Sequence, residues 1–291
     1  MEDASRDLQD PDLNSLVPDV QVNRRGFVAA CIAAGFAVTA EPLLAQAIKT
    51  PMDGLEGGDA KVGDIPVYYA VPKGKQKCAV VVVVPEIWGN HEHIKDVVRR
   101  VAKEGYFAVS NEPYFRIGEL WKLTEIKEVL AGANQLTDQQ AFADIDATLA
   151  WVAKDGRANV DKLGITGFCR GGRMVWMYTA HNKSVDAGVA WYGGLSPALP
   201  AQPLTPVEVA AKIDRPVLGL YGGADTGIPM ERVEALRAAL KAAGNDKQSM
   251  IHVYEGMPHA FNADYRPSYR KEAADDGWKR MLDWFRKHGV A

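Results

Sequence analysis

Downstream of residue 64 the apolar positions recur in two alternating periods. Ile65 to Pro72 ("IPVYYAVP") alternates in the way of a half-buried strand and predicts an early strand at a sheet edge. Cys78 to Pro85 ("CAVVVVVP") is a continuous β-branched run, the pattern of a strand buried on both faces. Ile94, Val97, Val98, Val101 and Ala102 then fall on one helical face. "YFAVSNEP" predicts a second buried strand, and Phe142, Ile145, Leu149 and Val152 a further amphipathic helix. "KLGITGF" is a strand running into a sharp turn and a helix that ends near Thr179. "AGVAWYGG", "RPVLGLYGGAD" and "SMIHVYEG" complete the strands. Val233, Leu236 and Leu240, then Trp278, Met281, Leu282 and Phe285, mark two closing helices. Residues 119–137 are mixed and predict a helical cap region; the Pro-rich stretch from Leu195 to Pro206 predicts a loop.

Regular alternation of strand and helix demands a mainly parallel central sheet with helices on both faces. No repeat or composition break interrupts residues 48–291, which are expected to form one domain. In such sheets ligands collect at the carboxyl ends of the strands. Four of those ends carry chemistry: Glu86 after "VVVVP", Cys169 after "GITGF", Asp225 after "LGLYGGA" and His259 after "HVYEGMP".

Gly167-Phe168-Cys169-Arg170-Gly171 has the form G-x-C-x-G. It resembles the nucleophile elbow of α/β-hydrolases with sulfur in place of oxygen. The glycines suit a strained central residue with strand and helix close behind it. The helix that follows would place its N-terminus under the sulfur, favouring a thiolate. Taken alone, the motif reads equally as a small buried cysteine. The chain order Cys169, Asp225, His259 adds to it, because it is the nucleophile–acid–base order of that fold. A thiol needs a base, and the base needs an orienting acceptor. Asp225 as a helix cap, His259 as a turn residue and Glu86 as a surface carboxylate remain the plain alternatives.

With those residues in view, the chain resembles the dienelactone hydrolase family. The likeness runs through "VVVVPEIWGN", "HIKDVVRRVAKEGYFAVSNEPY", "GFCRGG", "WYGG", "PVLGLYGGAD" and "GMPHAF", which together span most of residues 48–291. The resemblance implies an α/β-hydrolase fold and a Cys169–His259–Asp225 triad. It also implies a Glu86 that contacts the resting thiol and helps generate the thiolate. Backbone N–H groups of Ile87 and Arg170 are the expected oxyanion donors. Cleavage of lactones or activated esters through a thioester follows, with no cofactor. A redox-sensing thiol protein is the alternative of a different class. Thiolates leave more readily than alkoxides, since a thiol pKa is about 8.5, so enol lactones should be better substrates than alkyl esters.

Trp88, Tyr114 and Tyr192 lie near strand ends, as pocket walls or as core. The resembled enzymes hold a substrate carboxylate with arginines, for which Arg266 and Arg116 are candidates by location. The family's arginine in the helical segment before the elbow has no clear counterpart within Trp121 to Asp138. The side chain of Arg170 is expected to face the pocket mouth or solvent. His91 and His93 flank Glu92 without a third ligand motif, so no metal is expected and they read as polar residues at a helix start.

The remaining composition narrows the setting. The 291 residues are 47% hydrophobic and 24% charged, with a net charge of −3 and no long basic stripe, which disfavours nucleic acid as a partner. Residues 1–23 are polar. Arg24, Arg25 and Phe27 then precede an apolar run of small residues ending at Ala45-Gln46-Ala47. This is the layout of a twin-arginine-type export signal, and residues 1–47 are set apart from the fold. The expectation is a periplasmic protein that meets the membrane only during export; the run is short and broken for a permanent anchor. Three cysteines occur, and the contexts of Cys78 and Cys169 argue against a bridge between them.

Overall fold

The computed structural model describes residues 48–195 and 199–291. The proposed leader, residues 1–47, lies outside them. In chain order the elements begin with β1 (Leu55–Val62), β2 (Ile65–Pro72), β3 (Cys78–Val84), α1 (Glu92–Lys103) and β4 (Phe107–Asn111). They continue with α2 (Ile126–Ala133), α3 (Asp138–Val152), β5 (Ala158–Phe168), α4 (Arg170–His181) and β6 (Ala187–Trp191). A short α5 (Pro206–Val209), β7 (Val217–Gly222), α6 (Met230–Ala242), β8 (Met250–Tyr254) and α7 (Lys271–Lys287) complete the chain.

The strands form one eight-stranded sheet in the order β1-β2-β4-β3-β5-β6-β7-β8. β2 pairs antiparallel with β1 and with β4, and every other neighbour pair is parallel. The expected parallel α/β-hydrolase sheet is therefore present. One expectation is corrected: β2 is not the edge strand, because β1 pairs along its full length. Every residue of β3 is buried, as its unbroken apolar run requires. After the buried Leu55, β1 alternates half-exposed and exposed positions.

Local chemistry sets the helix starts. Thr137 accepts from the Gln140 N–H while Gln140 reaches back to the Thr137 N–H, a reciprocal cap that opens α3. Thr205 and Glu208 do the same for α5, with Pro206 in the first turn. Residues 119–137 hold a single 3₁₀ turn, Leu120–Lys122, and α2.

Register brings the functional strand ends level. Val84 pairs with Gly167, Phe168 with Trp191, and Gly222 with Tyr254. The residues immediately after β3, β5, β7 and β8 therefore emerge from one edge of the sheet.

Candidate active site

Cys169 caps the N-terminus of α4 with φ 55° and ψ −115°, a left-handed conformation that L-residues rarely adopt. Its N–H donates to the Trp191 carbonyl at 3.0 Å, which anchors the turn to β6. Gly171 explains how the turn closes. A Cβ there would sit 2.2 Å from the Val84 carbonyl oxygen and 2.6 Å from that of Pro85. The first turn of α4 thus presses directly on the end of β3, beside Glu86 and Ile87. The first N–H groups of any helix lack intrahelical acceptors, and Arg170 opens this one. Both expected oxyanion donors therefore belong to adjoining backbone segments.

Asp225 and His259 come from loops that are zipped together. Ala224 N–H donates to the Met257 carbonyl at 3.0 Å and Gly223 N–H to that of Tyr254 at 2.8 Å. Gly222 permits this approach, because a Cβ would lie 2.3 Å from the Met257 oxygen. The Asp225 carboxylate accepts from the N–H groups of Gly227 and Ile228 at 2.9 and 3.1 Å through Oδ1. Its Oδ2 lies 2.6 Å from His259 Nδ1. Asp225 is not the cap of α6; Pro229 holds that position.

His259 Nε2 is buried with no hydrogen-bond partner among the described residues. Burial alone would lower the imidazole's pKa. The Asp225 and Cys169 charges outweigh it and hold the ring well above its ordinary value. Cys169 is thus among the groups whose charge acts on the ring. Tyr192, with φ 37°, sets its ring edge against His259 at 5.0 Å. Its hydroxyl is buried and unpartnered among the described residues.

Glu86 is 2% exposed. Its Oε2 accepts from the Tyr265 hydroxyl and lies 3.6 Å from His91 Nε2, too long for a hydrogen bond. Oε1 has no partner among the described residues. Burial opposes ionisation, yet the adjacent His91 and the charges of Arg266 and His93 hold the carboxyl at about 2. Burial and the Glu86 charge push both Tyr265 and Tyr192 well above 10, so each stays a neutral donor. The contact expected between Glu86 and the thiol is replaced here by the bond to Tyr265. Behind it, His93 Nδ1 lies 3.2 Å from Asp264 Oδ1, and Arg100 is bound to both Asp264 and Asp96.

The other sequence candidates divide. Arg266 is partly exposed, and its charge acts on Glu86 and Cys169. Trp88 and Tyr114 are 1% exposed and belong to the core cluster. Arg116 is turned to Asp144, with bidentate bonds of 2.7 and 2.8 Å, and is not drawn into the cluster around Cys169. The Arg170 side chain is buried rather than turned to solvent: it is bound to Gln202 and Asn134 at 3.1 and 2.7 Å. Cys78 and Cys169 are free thiols. Tyr265 was missed. It sits one residue before Arg266 in "ADYRPS", and nothing local in the chain points it at Glu86.

A strained cysteine at a strand-to-helix turn, followed along the chain by an aspartate and a histidine bonded to each other, defines a protein of the α/β-hydrolase class. Residues 65–289 match the model of the dienelactone hydrolase family, and the chain belongs to that family. A Methylorubrum extorquens protein provisionally named carboxymethylenebutenolidase is 48% identical over 97% of this chain and 99% of its own length. An Escherichia coli protein of the same provisional name is 47% identical over 88% of this chain and 96% of its own. The crystal structure of a provisionally named dienelactone hydrolase from Klebsiella pneumoniae superposes with a TM-score of 0.77 at 43% identity. That match covers 80% of this chain and 99% of the other.

Proposed function

We propose that this protein hydrolyses lactones or activated carboxylic esters through a thioester on Cys169. The observation that carries the proposal is the 2.6 Å bond between Asp225 and His259 Nδ1, which leaves Nε2 as the proton acceptor coupled to the sulfur. The Cys169 thiolate attacks the carbonyl carbon; a C–S bond forms and the π pair moves to oxygen. Backbone N–H groups of Ile87 and Arg170 stabilise that oxyanion. Collapse breaks the acyl C–O bond, and the leaving oxygen takes its proton from the His259 imidazolium. Water, deprotonated by His259, then attacks the thioester and restores the thiolate. Asp225 fixes the tautomer and orientation of the ring throughout.

Glu86 helps to generate the thiolate when substrate displaces the resting contacts, the thiol proton passing to His259. Tyr192 and Arg266 face the substrate, Arg266 offering a guanidinium to an acidic group. Enol leaving groups suit sulfur, because a thiolate is expelled more readily than a simple alkoxide. Residues 1–47 act as a twin-arginine-type signal that delivers the protein to the periplasm.

The test is a rapid-mixing experiment with an activated aryl ester. A burst of phenol equal to the enzyme concentration is expected, absent from Cys169→Ala and His259→Ala. An undiminished burst in Cys169→Ala overturns the thioester. Fractionation of a bacterium expressing the full chain tests export: a twin-lysine variant of Arg24 and Arg25 that still reaches the periplasm removes that part.

A further inference from the structure

Beside His91 lies a cavity of about 540 Å³, the size of a small-molecule site. None of Glu86, Cys169, Asp225, His259 or Arg266 lines it. Its wall carries Asn90, His91 and Glu112 together with the rings of Phe115 and Trp121.

Two features of that wall call for a donor. The Asn90 side chain is 8% exposed and gives its amide N–H to the Ser110 carbonyl at 3.2 Å, which leaves Oδ1 facing no partner among the described residues. The Glu112 carboxylate is held by the N–H groups of Asn90 and Tyr114 at 2.6 and 3.0 Å but pairs with no cation among the described residues. The other carboxylates of the wall are matched: Asp59 with Lys95 at 2.6 Å, Glu92 with Arg99 at 2.6 Å, and Glu119 with Lys122 at 2.5 Å. Buried acceptors without donors are costly, and a carboxylate without a counterion more so.

We infer that this cavity is a second ligand site, separate from the catalytic centre, for a small organic cation: a primary ammonium or guanidinium group on an apolar stem. The cationic head meets the Glu112 carboxylate and the Asn90 Oδ1. The stem lies along Phe115 and Trp121. Arg116 at 4.1 Å and Lys122 at 4.9 Å already sit over those two rings, so the rings supply apolar contact rather than a fresh cation site. An anion fits badly, because the Glu112 carboxylate and the Asn90 Oδ1 are both acceptors.

Burial pushes the Glu112 carboxyl up to about 7, against the two backbone N–H donors. The titratable groups that share its cavity wall are Asp59 from β1, His91, Glu92 and Lys95 at the start of α1, and Glu119 from the loop after β4. Of these, Glu119 raises it and Lys95 lowers it. A bound cation favours the ionised form, so affinity should rise as pH rises from 6 to 8, a range in which an alkylammonium stays charged.

The experiment is titration calorimetry on the full chain with benzylamine, benzylguanidine, benzyl alcohol and benzoate. The cations are expected to bind at least about tenfold more tightly than the alcohol, the scale of one charge-assisted hydrogen bond, and benzoate weakest. The preference should survive alkylation of Cys169 with iodoacetamide, which blocks the catalytic centre. It should fall about tenfold in Glu112→Gln and weaken in Trp121→Ala, with thermal melts confirming that each variant is folded. Equal binding of amine and alcohol by the unmodified protein overturns the site, whatever the variants do. So does loss of binding on alkylation, which would put the ligand at the catalytic centre.

Discussion

The hydroxyl of Tyr265 donates to the buried carboxylate of Glu86 across 179 positions of chain. This bond stabilises an ionised acid in a nearly solvent-free place while leaving Oε1 without a partner among the described residues. The acid is therefore charged, oriented and half-satisfied. Tyr265→Phe should cost about 1.5–3 kcal/mol, the usual contribution of a hydrogen bond to a charged group. The carboxyl lies at about 2, below its ordinary 4.5. A depressed carboxylate contributes stability above its unfolded pKa and loses it as pH falls through the folded one. The stability gap between the wild type and Tyr265→Phe should thus be widest above about pH 4.5 and close towards pH 2. Urea titrations across that range measure it; a gap that widens on acidification contradicts the assignment.

Gly171 tests whether the elbow is held by close backbone contact. An added methyl would stand 2.2 Å from the Val84 oxygen, and backbone atoms on both sides cannot yield cheaply. Gly171→Ala should lower stability by roughly 1–3 kcal/mol, as overpacking does. It should also remove most of the esterase burst by displacing the first turn of α4. A variant with a normal melting temperature and a full burst shows that the turn has room to spare.

The sheet and the four strand-end residues were legible because both rest on local patterns. β3 is a run of valines, and the elbow's glycines stand within two or three residues of Cys169. β1 escaped notice because Gly57 and Gly58 dilute its period and only Leu55 is fully buried. The partners of Glu86 escaped for another reason. His91 and His93 belong to the start of α1, and Tyr265 to a loop beyond β8; only the fold makes them neighbours. Arg116 shows the converse. A position near a strand end suggested a substrate contact, but Asp144 on α3, 28 residues away, takes its guanidinium.

Arg173 and Asp138 form a bidentate pair at 2.7 and 2.9 Å, with side chains only 10% and 6% exposed. It ties α4, which carries the elbow, to the start of α3. Removing one partner of such a pair strands a buried charge. Asp138→Ala should therefore cost about 3–5 kcal/mol. The exposed pair of Lys271 with Asp275 is the control: Asp275→Ala should leave the melting temperature unchanged within error. Equal losses in the two variants contradict the distinction.

The bond from Asp225 to His259 makes a claim about both rate and pH. Asp225→Asn keeps the shape but offers the wrong group to Nδ1. The rate of acylation by an activated ester should fall on the order of a thousandfold or more. The charge on Asp225 is also a leading reason that the imidazole titrates well above its ordinary value, against its burial. A raised histidine pKa contributes stability below the unfolded value, near 6.5, and loses it as pH rises through the folded one. The stability difference between the wild type and Asp225→Asn should accordingly be largest in mildly acidic buffer and shrink on alkalinisation. It runs opposite to the Tyr265→Phe effect, which disappears in acid. If both differences move the same way with pH, then one of the two buried groups carries the wrong charge in the resting protein. Direct titration of the His259 ring protons by NMR then identifies which.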